Sequence, residues 1–115
     1  MVYGIGIDMV DVPRFRAAMD RWGARLCARL FTPGELEYCM RQRRPERHLA
    51  ARFAAKVSLF KALGRTLGFT EVEVIRGRDG RPAFKAAGIK DSMRLSLSIS
   101  HDGALSVAQT IVEEV

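Results

Sequence analysis

Cysteine, aromatic residues and long apolar runs are all scarce in this chain of 115 residues, and each shortage excludes a class of protein. Two cysteines, Cys27 and Cys39, are too few for a disulfide scaffold and are typical of free thiols in a reducing compartment. No apolar run approaches the roughly 18 residues of a membrane-spanning helix, and no leader pattern is visible. We therefore expect one cytoplasmic domain, residues 1–115, of ordinary length.

Several common catalytic and metal motifs are also missing. Gly4-Ile5-Gly6 lacks the third glycine and the following helix of a dinucleotide-binding fingerprint, and there is no phosphate-binding loop of the Walker type. Two histidines, His48 and His101, together with the two thiols are too few and wrongly spaced for a structural zinc site. A nucleophile elbow is absent as well.

Positive charge is abundant and concentrated in the first half of the chain. There are 19 Lys and Arg against 13 Asp and Glu, a formal charge of +6, and 15 of the bases are arginine. Residues 1–66 hold 13 basic and 6 acidic side chains, whereas residues 67–115 hold 6 and 7. This excess indicates an anionic partner, and a nucleic-acid-binding module is one alternative. Aromatic residues, 8% of the chain, do not alternate with the bases, which disfavours single-strand binding.

The segment from Val2 to Val12 has the alternation of a β-strand. One face of this strand is apolar, with Tyr3, Ile5, Ile7 and Met9. The other face carries Gly4, Gly6 and Asp8. Because glycines leave the backbone bare, a ligand or another segment can approach Asp8 closely. The alternative is an edge strand with a solvated Asp8.

Three helices are predicted after this strand. They run from Pro13 to about Trp22, from the capping box Thr32-Pro33-Gly34-Glu35 to about Arg43, and from Glu46 to Gly64. In the longest helix, Lys56 projects from the apolar face, with Arg52 one turn earlier. Such a pair either extends its charged heads to solvent or forms a buried anion site. A second stripe carries small side chains and one cation, at Ala50, Ala54, Val57 and Lys61, and lets another backbone or a ligand approach.

The C-terminal half is predicted to be rich in β-strands. The predicted strands are Glu71–Arg76, Ala83–Lys85, Leu95–Ile99 with its continuation to His101, and Leu105–Val112. Asp79-Gly80 and Asp102-Gly103 are the turn signals of two hairpins. His101 therefore lies at a strand end, where a histidine is either structural or functional.

A small set of residues that carry chemistry remains after these exclusions. Asp8 lies on a glycine-lined strand, one helix carries Arg52, Lys56 and Lys61, and His101 ends a strand. Mg²⁺ binds through one or two carboxylates plus phosphates and waters, and cations neutralise charge that grows on a phosphate. The set therefore suits magnesium and phosphate chemistry.

Five ordered motifs resemble those of the holo-[acyl-carrier-protein] synthases. They are Gly4–Val12, Phe31–Leu36, Arg52–Lys56 continuing into Lys61–Gly64, Gly80–Pro82 and Leu97–Asp102, and together they span nearly the whole chain. The resemblance implies a 4′-phosphopantetheinyl transferase, which moves the phosphopantetheine arm of coenzyme A onto a serine of apo acyl carrier protein and releases adenosine 3′,5′-bisphosphate, for fatty acid biosynthesis. It also implies an α+β fold, with an antiparallel sheet packed against a long helix, and a homotrimer with active sites between subunits.

The resemblance implies a role for each matching position. Asp8 matches the magnesium-binding aspartate and Lys61 the lysine near the diphosphate, where the carrier serine attacks the β-phosphate. The residues that fall in motifs of the coenzyme A pocket are Arg52, Lys56, Gly64, Pro82, Ser100 and His101. Arg14 falls where the family docks its acidic carrier protein. The base that accepts the serine proton stays open; we favour a nucleotide contact for His101.

Val57 departs from the family pattern, in which this position is a glutamate that supplies the second magnesium ligand. Valine cannot coordinate a metal, and Asp11 is a poor substitute because odd and even strand positions face opposite ways. We expect a transferase with weakened or altered metal dependence. A non-catalytic protein that binds coenzyme A or carrier protein is the alternative.

Overall fold

The computed structural model describes all 115 residues as five strands and three helices. In chain order these are β1 (Val2–Asp11), α1 (Val12–Leu30), α2 (Pro33–Met40), α3 (Pro45–Leu63), β2 (Val72–Arg76), β3 (Pro82–Ala86), β4 (Met93–Asp102) and β5 (Leu105–Glu114). A single 3₁₀ turn, Phe69–Glu71, leads into β2. No helix is both long and apolar enough to cross a membrane.

The strands form two antiparallel sheets. The larger has the order β1-β5-β4, and the smaller is the β2-β3 hairpin. In the larger sheet Asp8 pairs with Ala108, which pairs with Ile99, and His101 pairs with Ser106. Helix α3 packs over β1 and β5. The predicted α+β fold, with an antiparallel sheet against a long helix, is confirmed.

Glycines of β1 allow α3 to approach the sheet closely. A Cβ built on Gly4 would lie 1.9 Å from the Ala62 carbonyl oxygen, and one on Gly6 would lie 1.9 Å from the Ser58 carbonyl oxygen. Such distances are far below van der Waals contact, so only glycine fits at either position. The segment that approaches the bare strand is therefore the protein's own helix.

Two predicted helix boundaries are wrong. The first helix continues beyond Trp22 to Leu30, because residues 24–30 resume helical structure after a kink at Gly23 with φ 64° and ψ −146°. Glycine adopts this backbone conformation without the clash that a Cβ would cause. The second helix ends at Met40 rather than near Arg43. The longest helix agrees within one residue at each end, with Gly64 as its left-handed C-cap.

The face of β1 that points away from α3 is apolar and uncovered. Tyr3, Ile5, Ile7 and Met9 are 54%, 58%, 54% and 64% exposed. The same face of β4 carries serines, which are exposed at Ser96, Ser98 and Ser100. Contiguous apolar surface of this kind marks an interaction site.

Candidate functional site

Asp8 and Lys61 form an ion pair at the edge of α3. Asp8 lies on the helix-facing side of β1, and Lys61 lies in the last turn of α3. The Lys61 Nζ is 3.3 Å from Asp8 Oδ1 and donates to the Ile7 carbonyl oxygen at 3.0 Å. The two side chains are 54% and 18% exposed, so this cation and this carboxylate are both accessible to a ligand.

Few groups near Asp8 suit a metal ion. Val57 stands one turn before Lys61 and offers no ligand, and Asp11 instead caps α1 by accepting the Arg14 N–H at 3.1 Å. No group of three or more His, Cys, Asp and Glu side chains converges to hold a metal. A magnesium ion fits only with Asp8 as its single protein carboxylate, its other ligands being water and phosphate oxygens.

Arg52 defines a second cluster, beside the β2-β3 hairpin. Its side chain helps line a cavity of about 210 Å³ together with Tyr38, His48, Pro82 and His101. The guanidinium lies 4.5 Å above the Tyr38 ring, and the residue is only 8% exposed. The Arg52 Nε has no hydrogen-bond partner. Because an unpaired buried donor is costly, this cavity favours an anionic or acceptor-bearing ligand.

Both histidines of the cavity favour their neutral form. The pKa of His101 is lowered by burial and further by the charge of Arg47. Burial and the charge of Arg52 lower the pKa of His48. His101 Nδ1 lies 3.0 Å from Ser106 Oγ, which holds the ring in place. A neutral, positioned imidazole is suited to hydrogen bonding with a ligand rather than to pairing with its charge.

Lys56 is the clearest correction to the sequence-based site. The Lys56 side chain is fully buried, so the interpretation in which its charged head extends to solvent is wrong. Its Nζ donates to Glu35 Oε1 at 2.7 Å, to the Leu30 carbonyl at 2.8 Å and to the Phe69 carbonyl at 2.7 Å. All three ammonium donors are therefore used within the chain, and Lys56 has none left for a ligand.

The remaining predicted positions are scattered. Pro82 lines the Arg52 cavity. Gly64 instead forms the C-cap of α3, three residues after Lys61. Ser100 is exposed and pairs with Val107, so strand alternation directs it to the opposite face from His101. Arg14 is exposed near the start of α1, where its backbone N–H completes the cap at Asp11.

The structure keeps the two clusters apart. Arg52 and Lys61 are nine residues apart on α3, which places them about half a turn apart around the helix and about 14 Å apart along it. Strand β5 separates Asp8 on β1 from His101 on β4. A single copy of the chain therefore holds these two clusters on opposite sides of α3.

Tyr38 and His48 are among the residues of the cavity that sequence reasoning missed. Their rings contact edge to face, with centroids 6.2 Å apart, and Tyr38 also supports the Arg52 guanidinium. Tyr38 comes from α2, whose packing against α3 no local pattern predicts. The nearest signal was the arginine cluster that follows α2, which includes Arg43, Arg44 and Arg47 beside His48.

Comparison with known proteins gives consistent matches over the whole chain. The model of the 4′-phosphopantetheinyl transferase superfamily matches residues 4–110. A holo-[acyl-carrier-protein] synthase of Geobacter sulfurreducens is 44% identical over 124 aligned positions, covering 98% of each chain.

Solved structures agree with these sequence matches. The synthase from Neisseria meningitidis superposes with a TM-score of 0.88 at 30% identity, covering 99% of this chain and 100% of that one. The synthase from Bacillus anthracis, solved in complex with CoA (3′,5′-ADP), superposes with a TM-score of 0.86 at 29% identity. That match covers 100% of this chain and 99% of the other.

Proposed function

Because the chain belongs to the 4′-phosphopantetheinyl transferase superfamily, we propose that it is a holo-[acyl-carrier-protein] synthase. It transfers the phosphopantetheine arm of coenzyme A to a serine of apo acyl carrier protein for fatty acid biosynthesis. The serine oxygen forms a bond to the β-phosphorus, the bond to adenosine 3′,5′-bisphosphate breaks, and the serine proton is released. We propose that residues 1–115 act as one transferase domain, and a cytoplasmic location stays a prediction.

The Arg52 cluster supports this proposal most directly. A buried guanidinium with an unpartnered Nε faces a cavity that also holds neutral His101, so the cavity suits an adenosine phosphate group. We assign Arg52, Pro82 and His101 to the nucleotide end of coenzyme A. His101 donates or accepts a hydrogen bond there and is not required to carry charge.

Asp8 and Lys61 are assigned to the diphosphate. Lys61 is half exposed, and its ammonium can turn from Asp8 to a phosphate oxygen. There it offsets the charge that grows on the leaving phosphate. Asp8 is the residue that would hold magnesium, which when bound supplies further positive charge to the diphosphate.

We propose that copies of the chain assemble through the apolar face of β1, so that one copy's Asp8 and Lys61 meet another copy's Arg52 cavity. The exposed side chains from Tyr3 to Met9 and the separation of the two half-sites support this assembly. The number of copies, three, is the family expectation. Ile5→Glu should give monomers by light scattering and abolish transfer, and a folded trimer with full activity would contradict the arrangement.

Mixing two inactive variants tests the shared site. Arg52→Ala and Lys61→Ala each damage one half-site, so co-assembled oligomers contain some sites with both intact halves. Partial transfer activity in the mixture, absent from either variant alone, is expected.

The carrier protein is assigned to the exposed arginines of α1. These are Arg14, Arg16, Arg21, Arg25 and Arg29. Acyl carrier protein is acidic in this family, so the charges are complementary. Arg14→Glu should weaken carrier protein binding and leave coenzyme A binding unchanged.

Transfer to apo carrier protein, followed by its mass increase, tests the function as a whole. We expect transfer by this chain across a magnesium titration, with Val57→Glu active at lower magnesium. If only Val57→Glu transfers, the chain is the non-catalytic binder. If coenzyme A does not bind while duplex DNA binds at moderate salt, the basic nucleic-acid-binding alternative is correct.

A further inference from the structure

Arg52 has no charged partner to hold it in its cavity. The residue is only 8% exposed, yet it belongs to none of the ion pairs of the chain, and its Nε has no hydrogen-bond partner. An arginine side chain has many rotamers and loses much conformational entropy when it is fixed in one of them. A group other than a carboxylate therefore has to orient this guanidinium.

The ring of Tyr38 contacts the Arg52 guanidinium. Arg52 Cζ lies 4.5 Å from the centroid of the ring, a distance at which the face of an aromatic ring attracts a cation. The same ring meets His48 edge to face. Arg52 and His48 are four residues apart on α3 and lie on one side of it. Because a contact with a ring face occupies no hydrogen-bond acceptor, the N–H donors of Arg52 stay available to a phosphate.

Glu35 fixes the place of Tyr38 against α3. Glu35 and Tyr38 are three residues apart on α2, and their partners Lys56 and Arg52 are four residues apart on α3. Residues at these spacings lie on one side of a helix, so the two contacts are side by side across the α2–α3 interface. The Lys56–Glu35 pair is fully buried, with 2.7 Å between its charged atoms. This pair therefore anchors α2 at the position from which Tyr38 covers Arg52.

We propose that Tyr38 is a positioning residue, whose ring holds the Arg52 guanidinium in the orientation that binds an adenosine phosphate of coenzyme A. This inference rests on the proposed function, which assigns the Arg52 cavity to the nucleotide end of the substrate. The ring acts through Arg52 and does not need to touch the ligand. A ligand that binds one orientation of a side chain gains affinity when that orientation is already populated.

Tyr38→Leu tests this role, because it keeps an apolar side chain and removes the ring. Adenosine 3′,5′-bisphosphate is the probe, and calorimetry with the assembled protein measures its dissociation constant. We expect this constant to rise by about five- to thirtyfold, the range for a contact between a ring and a desolvated cation. KM for coenzyme A should rise by a similar factor, with a smaller change in kcat. Tyr38→Phe keeps the ring face and should retain most of the affinity.

Two double-mutant cycles separate positioning from a general effect on the fold. Arg52→Met leaves no guanidinium to orient, so adding Tyr38→Leu should weaken bisphosphate binding by less than about twofold. Lys61→Met changes the other cluster, and there Tyr38→Leu should keep its full effect, because distant sites are additive. The control is Glu37→Gln, on the solvent side of α2, where the Glu37 side chain is 68% exposed. It should not change the dissociation constant.

Nuclear magnetic resonance with ¹⁵N-labelled arginine gives a readout that needs no ligand. The Arg52 Nε–H signal is identified by its loss in Arg52→Met. The Tyr38 ring current should shift this signal in the parent and in Tyr38→Phe, and the shift should be absent in Tyr38→Leu. This measurement decides whether the ring orients Arg52 even if Arg52→Met binds the bisphosphate too weakly for calorimetry.

Three outcomes overturn the proposal while the proposed function survives. One is a Tyr38→Leu protein that binds the bisphosphate like the parent or keeps the parent's Arg52 signal. Another is a loss of the same size with and without Arg52, which would make Tyr38 a structural residue of the cavity wall. The third is a Tyr38→Phe protein as weak as Tyr38→Leu, which would assign a ligand contact to the hydroxyl. Failure of the parent to bind either coenzyme A or the bisphosphate would instead refute the proposed function, and this role of Tyr38 with it.

Discussion

Helix α3 carries two lysine–carboxylate pairs only five residues apart, and they have opposite characters. Lys56 pairs with Glu35 at 2.7 Å, and both side chains are fully buried. Lys61 pairs with Asp8 at 3.3 Å, and the lysine is 54% exposed. The same two functional groups are therefore structural in one place and available to a ligand in the other. Position on the helix, rather than residue type, decides between these roles.

The buried pair joins α3 to four other parts of the fold. Lys56 reaches the end of α1, the 3₁₀ turn and Glu35 of α2. Glu35 accepts hydrogen bonds from Thr32 N at 2.9 Å and from Val74 N of β2 at 2.7 Å. All three Lys56 donors and both Glu35 oxygens thus have partners, which is the condition under which a buried pair is tolerated.

Breaking the buried pair should have the largest effect. Lys56→Met leaves the Glu35 charge buried without its cation, and we expect a loss of about 3–5 kcal/mol in the free energy of unfolding. Urea denaturation followed by circular dichroism measures this loss. Adding Glu35→Gln should recover part of it, because the stranded charge is removed. A Lys56→Met protein as stable as the parent would show that the pair contributes nothing.

Breaking the exposed pair should affect activity instead of stability. Lys61→Met removes the cation that we assign to the diphosphate, and we expect transfer to fall by about 100- to 1,000-fold. The free energy of unfolding should change by less than about 1 kcal/mol, because exposed pairs contribute little. Steady-state transfer kinetics and urea denaturation on the same samples check both statements. A matched loss of stability and activity would make Lys61 structural.

The contact between β1 and α3 should give an intermediate result. Gly6→Ala places a Cβ against the Ser58 carbonyl, so the helix must move away from the strand that carries Asp8. We expect a loss of about 1–3 kcal/mol in stability, as for other overpacked sites, and reduced transfer as well. Ala18→Gly, in α1, is a control for a change of similar size away from this contact. Unchanged stability in Gly6→Ala would contradict the close packing.

The smallest expected effect is on the pH dependence of stability, through His101 in the cavity beside Arg52. Burial and Arg47 lower the pKa of His101 in the folded protein below its ordinary value of 6.5. The unfolded chain then binds a proton more readily, so the contribution of His101 to stability is present above about pH 6.5 and lost as the pH falls through the lowered pKa. His101→Gln should reduce the loss of stability on acidification. An unchanged pH profile would show that His101 does not titrate in this way.

Local signals in the sequence predicted most of the elements. The capping box at Thr32 and Glu35 is present, with the Glu35 N–H donating to Thr32 Oγ1 at 3.2 Å. Strand alternation predicted both faces of β1, and Asp102-Gly103 predicted the β4-β5 hairpin, which the structure confirms. These features depend on neighbours within a few residues. The kink at Gly23 shows the limit, because a glycine indicates an interruption without showing that the helix resumes.

The candidate site was less predictable than the fold. Asp8 and Lys61 were placed on one strand and one helix, and the structure brings them together across 53 positions of the sequence. Lys56 was assigned to the ligand by the family resemblance, and helical periodicity could not correct this, because it shows a face of the helix but not what covers that face. Its partner Glu35 lies 21 residues away on another helix. Tyr38 also lines the cavity because of a contact between distant segments, the packing of α2 against α3.

The sequence by itself determined the strands, the helices, the family resemblance and the absence of a carboxylate at Val57. These follow from residue identity and from interactions between near neighbours. Only the tertiary structure decided that the glycines of β1 let a helix pack closely, that Lys56 is buried while Lys61 is exposed, and that Arg52 and Lys61 lie on opposite sides of α3. Burial and charge pairing depend on which distant segments meet. The sequence pattern around one residue carries no information about a partner that lies far along the chain.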